Sequence, residues 1–454
     1  MRYHALLSLL LLLATGCEGW LHVQPASQSE ATEFFQKESG YKAALTGLYI
    51  RLKSPALYGQ TLTLDLPEWM VNHWIAAEDS ENDHIAKHYY NDASTESTLD
   101  AIFLNMYGII AEANAILEHI DQRQEVFAES RMYKLIKGEA LGLRAFCHFE
   151  LLRWWGPIPG TQTGARVLPY ARVISTKPHA YLPYASYVAL LMEDLDEAER
   201  LLRSVDPIQG AFPADNDPFW ENRPSRLNYY AVCALKARLY LWNQEKGEAL
   251  RYARMVIDAV NGGQAIFRLA NRTEFASPAT CILPSEHIFE MEVHTLSQLT
   301  NEWFTENPAL YRQDRNTLMT LYETADARHV DWWGNIIEDG LVLHSFKKFI
   351  QSHSGKLPLI RLSELYLIAI ECEDTRAGEL YQLYCDTRGC VKKNLAANRE
   401  EILLTEYNRE FYGEGQLFFQ YKRLSVPNML WSKPIDDLQA AYVMPLPKKE
   451  IIIP

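Results

Sequence analysis

Positive charge is in short supply in this chain of 454 residues: 44 Lys and Arg stand against 58 Asp and Glu, a formal net charge of −14. Nucleic-acid phosphates are bound by concentrated Lys and Arg, so no nucleic-acid partner is expected. Cysteine is sparse too, with 7 residues, and their spacings form no CxxC and no zinc pattern. Cys147, Cys233 and Cys372 fall inside apolar helical stretches and read as small buried hydrophobes. Cys385 and Cys390 in "CDTRGC" leave two options open, a small-loop disulfide in an oxidising compartment or two free thiols. Catalytic signatures are missing: there is no GxSxG, GxGxxG, P-loop or HExxH. His84 and His88 in "DHIAKH" have metal-like helical spacing without an accompanying glutamate pattern. "DSENDH" lacks the central glycine and closing glutamate of a calcium loop and reads as a solvated acidic turn. Neither a metal nor a cofactor is expected. A glycosidase would need only two carboxylates at the right separation, so composition alone does not decide against an enzyme.

Long apolar runs are also lacking, with one exception at the start. Arg2 and His4 precede the run Ala5 to Leu13, and Ala14, Thr15 and Gly16 lead into Cys17. That run falls short of the roughly 20 residues of a transmembrane helix and has the order of a secretory signal. A cysteine directly after the small residues is the bacterial site of lipid attachment and cleavage, so residues 1–16 are expected to be a signal peptide and Cys17 the lipidated residue. Ala14 stands where leucine is commonest in such a motif. Several acyl chains, each buried methylene contributing roughly 0.8 kcal/mol, would hold the mature protein on a membrane surface. No later apolar run reads as a membrane span.

What the sequence does have is helical periodicity. Residues 17–40 read as a polar tether. Segments near 41–53, 98–119, 131–155, 184–204, 227–243 and 247–260 then repeat apolar residues at three- and four-residue steps. In "LNYYAVCALKARLYLWNQEKGEALRYARMVIDAV", Tyr230, Cys233, Ala234, Ala237 and Leu241 share one face. Ala249, Ala253 and Val256 face back from a second helix after the turn at Gly247. Small residues at the crossing are those of tetratricopeptide-type hairpins, here without the full consensus. Periodicity fades between about 261 and 360, where a loop-rich region with a few short strands is expected, and returns in "RLSELYLIAIECE" and "NREEILLTEYNREFYGEGQLFFQYKRL". The expected fold is mainly α, with tetratricopeptide-like helical hairpins in a single large body. Such a body presents a surface more readily than a closed reaction pocket, which argues against an enzyme.

Several stretches can be read for their own chemistry first. In "LGLRAFCHFELLRWWGPIP", Leu143, Phe146, Phe149 and Leu152 form an apolar stripe, and Gly156, Pro157 and Pro159 end the helix. Arg144 and Glu150 read as internal ion partners. Arg361 and Glu364 in "RLSELYLIAIECE" stand three apart, as helix neighbours do. Arg409, Glu410 and Glu414 in "REFYGEGQLFFQYKRL" lie amid aromatics and suggest a buried polar network bracing the last helix. These three stretches, with "WLHVQP" after Cys17 and the closing "MPLPKKEI", resemble in order the SusD/RagB lipoproteins of Bacteroidetes. Gln416 stands where that family often has histidine. The resemblance divides the mature chain into a helical region 41–260 and a C-terminal region 261–454. It implies a lipid-anchored outer-membrane protein facing the cell surface, which captures oligosaccharides and passes them to a SusC-like TonB-dependent transporter. A transporter lid or scaffold with no glycan contact is the alternative, and a surface glycosidase a third.

A glycan binder needs flat aromatics in loops flanked by amides and charges. "LPEWMVNHWIAAEDSEND" supplies Trp69 and Trp74 with Asn72, His73, Asp79 and Asn82. "NEWFTENPALYRQDR" supplies Asn301, Trp303, Phe304, Tyr311 and Arg312. The ligand is expected to lie between these two stretches. The competing reading places the same aromatics in the core.

Overall fold

The computed structural model describes residues 33–161, 164, 166–209, 217–306, 312–338, 341–350 and 355–451. The run into Cys17, most of the tether and Tyr311 lie outside them. The helices are α1 (Glu38–Leu52), α2 (Leu66–Met70), α3 (Glu81–Ala86), α4 (Ala93–Ile120), α5 (Ser130–Trp155), α6 (Tyr184–Arg203), α7 (Tyr229–Trp242) and α8 (Lys246–Asn261). After them come α9 (Arg272–Ala276), α10 (Leu296–Asn301), α11 (Arg315–Leu321), α12 (Ala327–Trp332), α13 (Leu362–Cys372), α14 (Ala377–Arg388), α15 (Leu395–Glu410), α16 (Leu417–Arg423) and α17 (Leu438–Tyr442). Among the described residues three two-stranded antiparallel sheets decorate this mainly α body. They pair β1 (Arg166–Pro169) with β2 (Tyr181–Pro183), β3 (His287–Glu292) with β6 (Lys356–Arg361), and β4 (Trp333–Glu338) with β5 (Leu341–Phe346).

Helix α5 is the axis of the body. Every residue from Gly138 to Trp155 is buried, because α4, α6 and α1 pack around it and α7 touches it. A helix covered on all sides must pair its polar groups internally. Glu139 accepts from Arg223 and from the Tyr49 hydroxyl, each at 2.6 Å. Arg144 forks onto Asp194 at 2.7 and 2.6 Å, and Arg153 onto Glu150 at 2.6 and 2.7 Å. Helix α4 is long and apolar enough, by length and composition, to cross a membrane. The sequence shows no continuous apolar run there; the apolar residues of α4 form a stripe, and that stripe lies against α1 and α5. The α7–α8 hairpin packs as expected, with Cys233, Ala237, Ala249 and Ala253 fully buried between the helices.

The C-terminal region is built on charge. Arg361 donates to Glu286 at 3.0 Å, Glu410 at 2.7 Å and Glu414 at 2.8 and 2.9 Å. Arg388 and Arg328 also reach Glu410, at 2.7 and 3.1 Å, and these arginines hold its carboxyl well below the ordinary value against the opposing effect of burial. The expected Arg361–Glu364 pair does not form. Arg361 is the last residue of β6 and precedes α13 in extended conformation, so it is not on the helix face. Glu364 instead accepts from Arg238 at 2.7 and 2.6 Å. Cys385 and Cys390 are both buried free thiols.

Three of the stretches that resemble one family, those holding Arg153, Lys422 and Met444, meet at one corner. Lys422 of α16 donates to the carbonyls of Arg153 at 2.6 Å, Trp154 at 3.2 Å and Gly156 at 2.8 Å, where α5 ends. An ammonium at those unpaired carbonyls is a C-terminal cap, and burial with Arg153 nearby pushes its pKa well down. Trp155 Nε1 donates to Pro445 O at 2.9 Å, and Met444 N to Trp154 O at 3.2 Å.

Candidate functional site

The two stretches expected to flank a ligand do meet, but by their inner faces. Ile75 N donates to Arg312 O at 3.0 Å, and the Trp74 and Phe304 rings lie 5.3 Å apart. Trp69 and Trp74 are 1% exposed, Trp303 8% and Phe304 0%. The expectation that these four rings present faces to a sugar is therefore corrected: they are core. Trp69 Nε1 donates to Asp65 at 2.9 Å and Trp74 Nε1 to Leu64 O at 3.0 Å, so both indoles are satisfied internally. Burying such large apolar rings is worth more than leaving them in loops. Asn301 ends α10 half-buried, and Arg312 is half-buried as well.

His73 is also interior. It is held between Glu68 and Asn408 and stacked on Tyr412 at 3.7 Å. Glu68 belongs to α2, and its carboxylate accepts from the backbone N–H of Gly413 at 2.8 Å and of Gly415 at 2.7 Å. Both glycines have positive φ, +75° and +69°. A Cβ at Gly415 would lie 2.2 Å from Leu62 O, so "YGEG" closes around Glu68 only with glycine there. The chain of hydrogen bonds continues from Asn408 Nδ2 to the Tyr421 hydroxyl at 3.2 Å, which accepts from Leu430 N at 3.2 Å. It ends beside Trp431.

Trp431 opens onto a cleft of about 890 Å3, larger than the hollows of about 590 Å3 beside Thr375 and about 390 Å3 beside Arg51. One wall is Asn72, the end of α3 with Asp83 and Ala86, and the turn 87–91 that follows it. The other is the segment 431–445, including α17. Tyr90 clamps the walls together by donating to Ala441 O at 2.8 Å. His88, at φ +61°, donates from Nε2 to Met70 O at 3.0 Å, and burial pushes its pKa below the ordinary value.

The rings at the cleft are held by backbone. Tyr89, 64% exposed, follows the reversal at His88, with its N–H on His84 O at 2.8 Å. Trp431 is half-buried at φ +64°, a conformation a bulky residue rarely adopts and one that costs of order 1–3 kcal/mol. The loop holds it there through Ser432 N on Met429 O at 3.3 Å and Ile435 N on Pro427 O at 2.8 Å. Its Nε1 donates to Thr320 at 3.3 Å.

Of the residues expected at a glycan site, Asn72 lines this cleft. It sits at φ +58°, which asparagine tolerates, and its carbonyl accepts from Gln313 at 3.2 Å. Its Nδ2 is buried without an acceptor, a donor in need of a partner. Asn91, Lys433 and Asp436 stand exposed around the cleft. Tyr89 and Trp431 were missed because the reading followed tryptophan density. The available signals were "HYYND", where helical periodicity stops, and "LWSKPIDD", a tryptophan in a proline-broken polar run.

The SusD-like family model, described as "Starch-binding associating with outer membrane", matches residues 19–180. A SusD-like protein of Formosa agariphila is 25% identical over 237 residues, 50% of this chain, and the chain spans 40% of that relative's length. Among solved structures, a SusD superfamily protein from Bacteroides vulgatus is 20% identical with a TM-score of 0.72, covering 92% of this chain and 97% of that one. Surface glycan-binding protein A from Bacteroides uniformis is 17% identical with a TM-score of 0.70, covering 91% and 97%. Residues 19–180 thus match the SusD-like family, and the fold of the whole is that of the solved SusD superfamily structures.

Proposed function

We propose that the protein is a glycan-binding lipoprotein of the cell surface, which captures oligosaccharides in the cleft between 83–91 and 431–445 and releases them unchanged to a SusC-like TonB-dependent transporter. The observation that carries the reading is the exposed Tyr89 ring and the strained Trp431 ring on one cleft, with the exposed amide of Asn91 beside them. Pyranose rings have apolar C–H faces that stack on aromatics and hydroxyl edges that take amides and carboxylates. The cleft volume falls in the roughly 300–1,000 Å3 range of ligand pockets. The family description and the glycan-binding neighbour support the same chemistry.

Attachment through lipid on Cys17 and transfer to a transporter belong to the same proposal. Affinity electrophoresis of the purified mature protein against a panel of polysaccharides tests the binding: retardation by at least one glycan, lost in Tyr89→Ala, is expected. No retardation by any of them, together with co-purification of a large barrel from mild detergent, would leave a transporter lid as the function. Loss of fatty-acid labelling in Cys17→Ala tests the anchor.

A further inference from the structure

We propose that the ligand of this cleft is an electrically neutral oligosaccharide and that the cleft rejects sulfated and uronate-bearing chains; this rests on the glycan-binding reading above. The charges lining the cleft are few and can be followed individually. Asp83 is committed inside the wall, accepting from Lys87 Nζ at 2.6 Å and Asp79 N at 2.9 Å, so Lys87 is neutralised by the same contact. His88 spends its Nε2 proton on Met70 O at 3.0 Å. Asp437 accepts from Ala440 N at 3.1 Å as the cap of α17 and remains exposed.

That leaves Lys433, Asp436 and Asp437, all exposed on the same wall, and among the described residues no arginine lines the cleft. Sulfate and carboxylate groups on a sugar are held by arginine forks or clustered cations, whose paired N–H groups match two oxygens at once. Here an incoming anion meets one flexible ammonium and the two carboxylates that stand three and four residues from it in sequence, so attraction and repulsion oppose each other. The open groups suit hydroxyls instead. Asn91 offers both roles, Ser432, whose hydroxyl donates to Met429 O at 3.2 Å and Lys433 O at 3.1 Å, offers an acceptor, and Asp436 offers acceptors, beside rings suited to C–H faces.

The test is calorimetric titration of the mature protein with matched pairs that share one backbone: neutral galactan, glucan, mannan and xylan oligosaccharides, each beside its sulfated or uronate-substituted form. The expected result is that the tightest ligand is neutral and its charged counterpart binds at least tenfold more weakly. Asp436→Asn with Asp437→Asn, which keeps a capping side chain on α17, is expected to shrink that ratio at least threefold. A charged form that binds as tightly as its neutral partner, and loses affinity in Tyr89→Ala, would leave the cleft as the glycan site and overturn the neutral class. A ratio unchanged in the double variant would overturn the carboxylates as its cause. No binding by any member of either set would overturn the glycan reading itself.

Discussion

The cleft and the arginine–glutamate cluster around Glu410 use the same kinds of side chain to opposite ends. Around Glu410 three arginines converge on one carboxylate, and each guanidinium has further acceptors: Arg328 on Asp326 and Glu406, Arg361 on Glu414, Arg388 on Glu286. At the cleft, Asp436, Lys433 and Asn91 are exposed and Asn72 Nδ2 has no acceptor. Chemistry alone does not separate a brace from a site. What separates them is whether each polar group is already spent within the fold.

That contrast can be broken by removing one member from each side. Glu410→Ala removes one counter-charge from each of three buried guanidinium groups, and a broken buried pair costs about 3–5 kcal/mol. The expected outcome is a chain that unfolds in mild denaturant or fails to accumulate, read by chemical melting. The same carboxyl titrates below its ordinary value of 4.5, so the unfolded chain takes up protons first. Its contribution to stability is full above about 4.5 and is lost as pH falls from there towards the folded value; melting temperature followed from pH 7 to 3 checks this.

Next in size is Trp74→Ala. Loss of an interior ring is expected to cost about 3–5 kcal/mol, and calorimetry should record the lower melting temperature. A variant that melts like the parent and binds no glycan would return Trp74 to the ligand. Tyr89→Ala is the reverse case. A stacked aromatic contributes about 0.5–1.5 kcal/mol beyond its area, so affinity is expected to fall about tenfold while stability stays within about 0.5 kcal/mol. Trp431→Gly sharpens it further, since glycine relieves the positive φ: glycan affinity should fall with melting unchanged or raised.

The smallest effect is at His88. Burial depresses its pKa, so the unfolded chain binds the proton more readily. Its contribution to stability is present above the ordinary value of 6.5 and declines as pH falls below it. A shallow loss of melting temperature between pH 6.5 and 5, absent in His88→Asn, is the expected reading.

Periodicity made the helices legible: segments read near 131–155 and 184–204 are α5 (Ser130–Trp155) and α6 (Tyr184–Arg203). That Arg144 and Glu150 each have an internal ion partner, Asp194 and Arg153, and that a network braces Glu410, were legible because a charge inside an apolar stripe must find a counter-charge. The site was not, because a ring's direction in a non-periodic segment is set by distant packing. Trp74 turns inward where Phe304, Phe346 and Tyr412 meet it at 5.3–5.7 Å, contacts made across more than 200 residues of chain. Tyr89 turns outward only because His88 reverses the backbone. The Arg361–Glu364 spacing misled for a related reason: a three-residue step means neighbours only when both residues are helical.

The cap on α5 also imposes an order in time. Lys422 lies 266–269 residues after the carbonyls it binds. At synthesis rates of about 5–20 residues per second, those carbonyls exist for tens of seconds before their partner does. During that interval the end of the central helix is an unfinished surface, with Trp154 and Trp155 uncovered. Completion of the fold therefore belongs to the last part of the chain to be made, and a chain cut short before Lys422 would carry that open end for its whole lifetime.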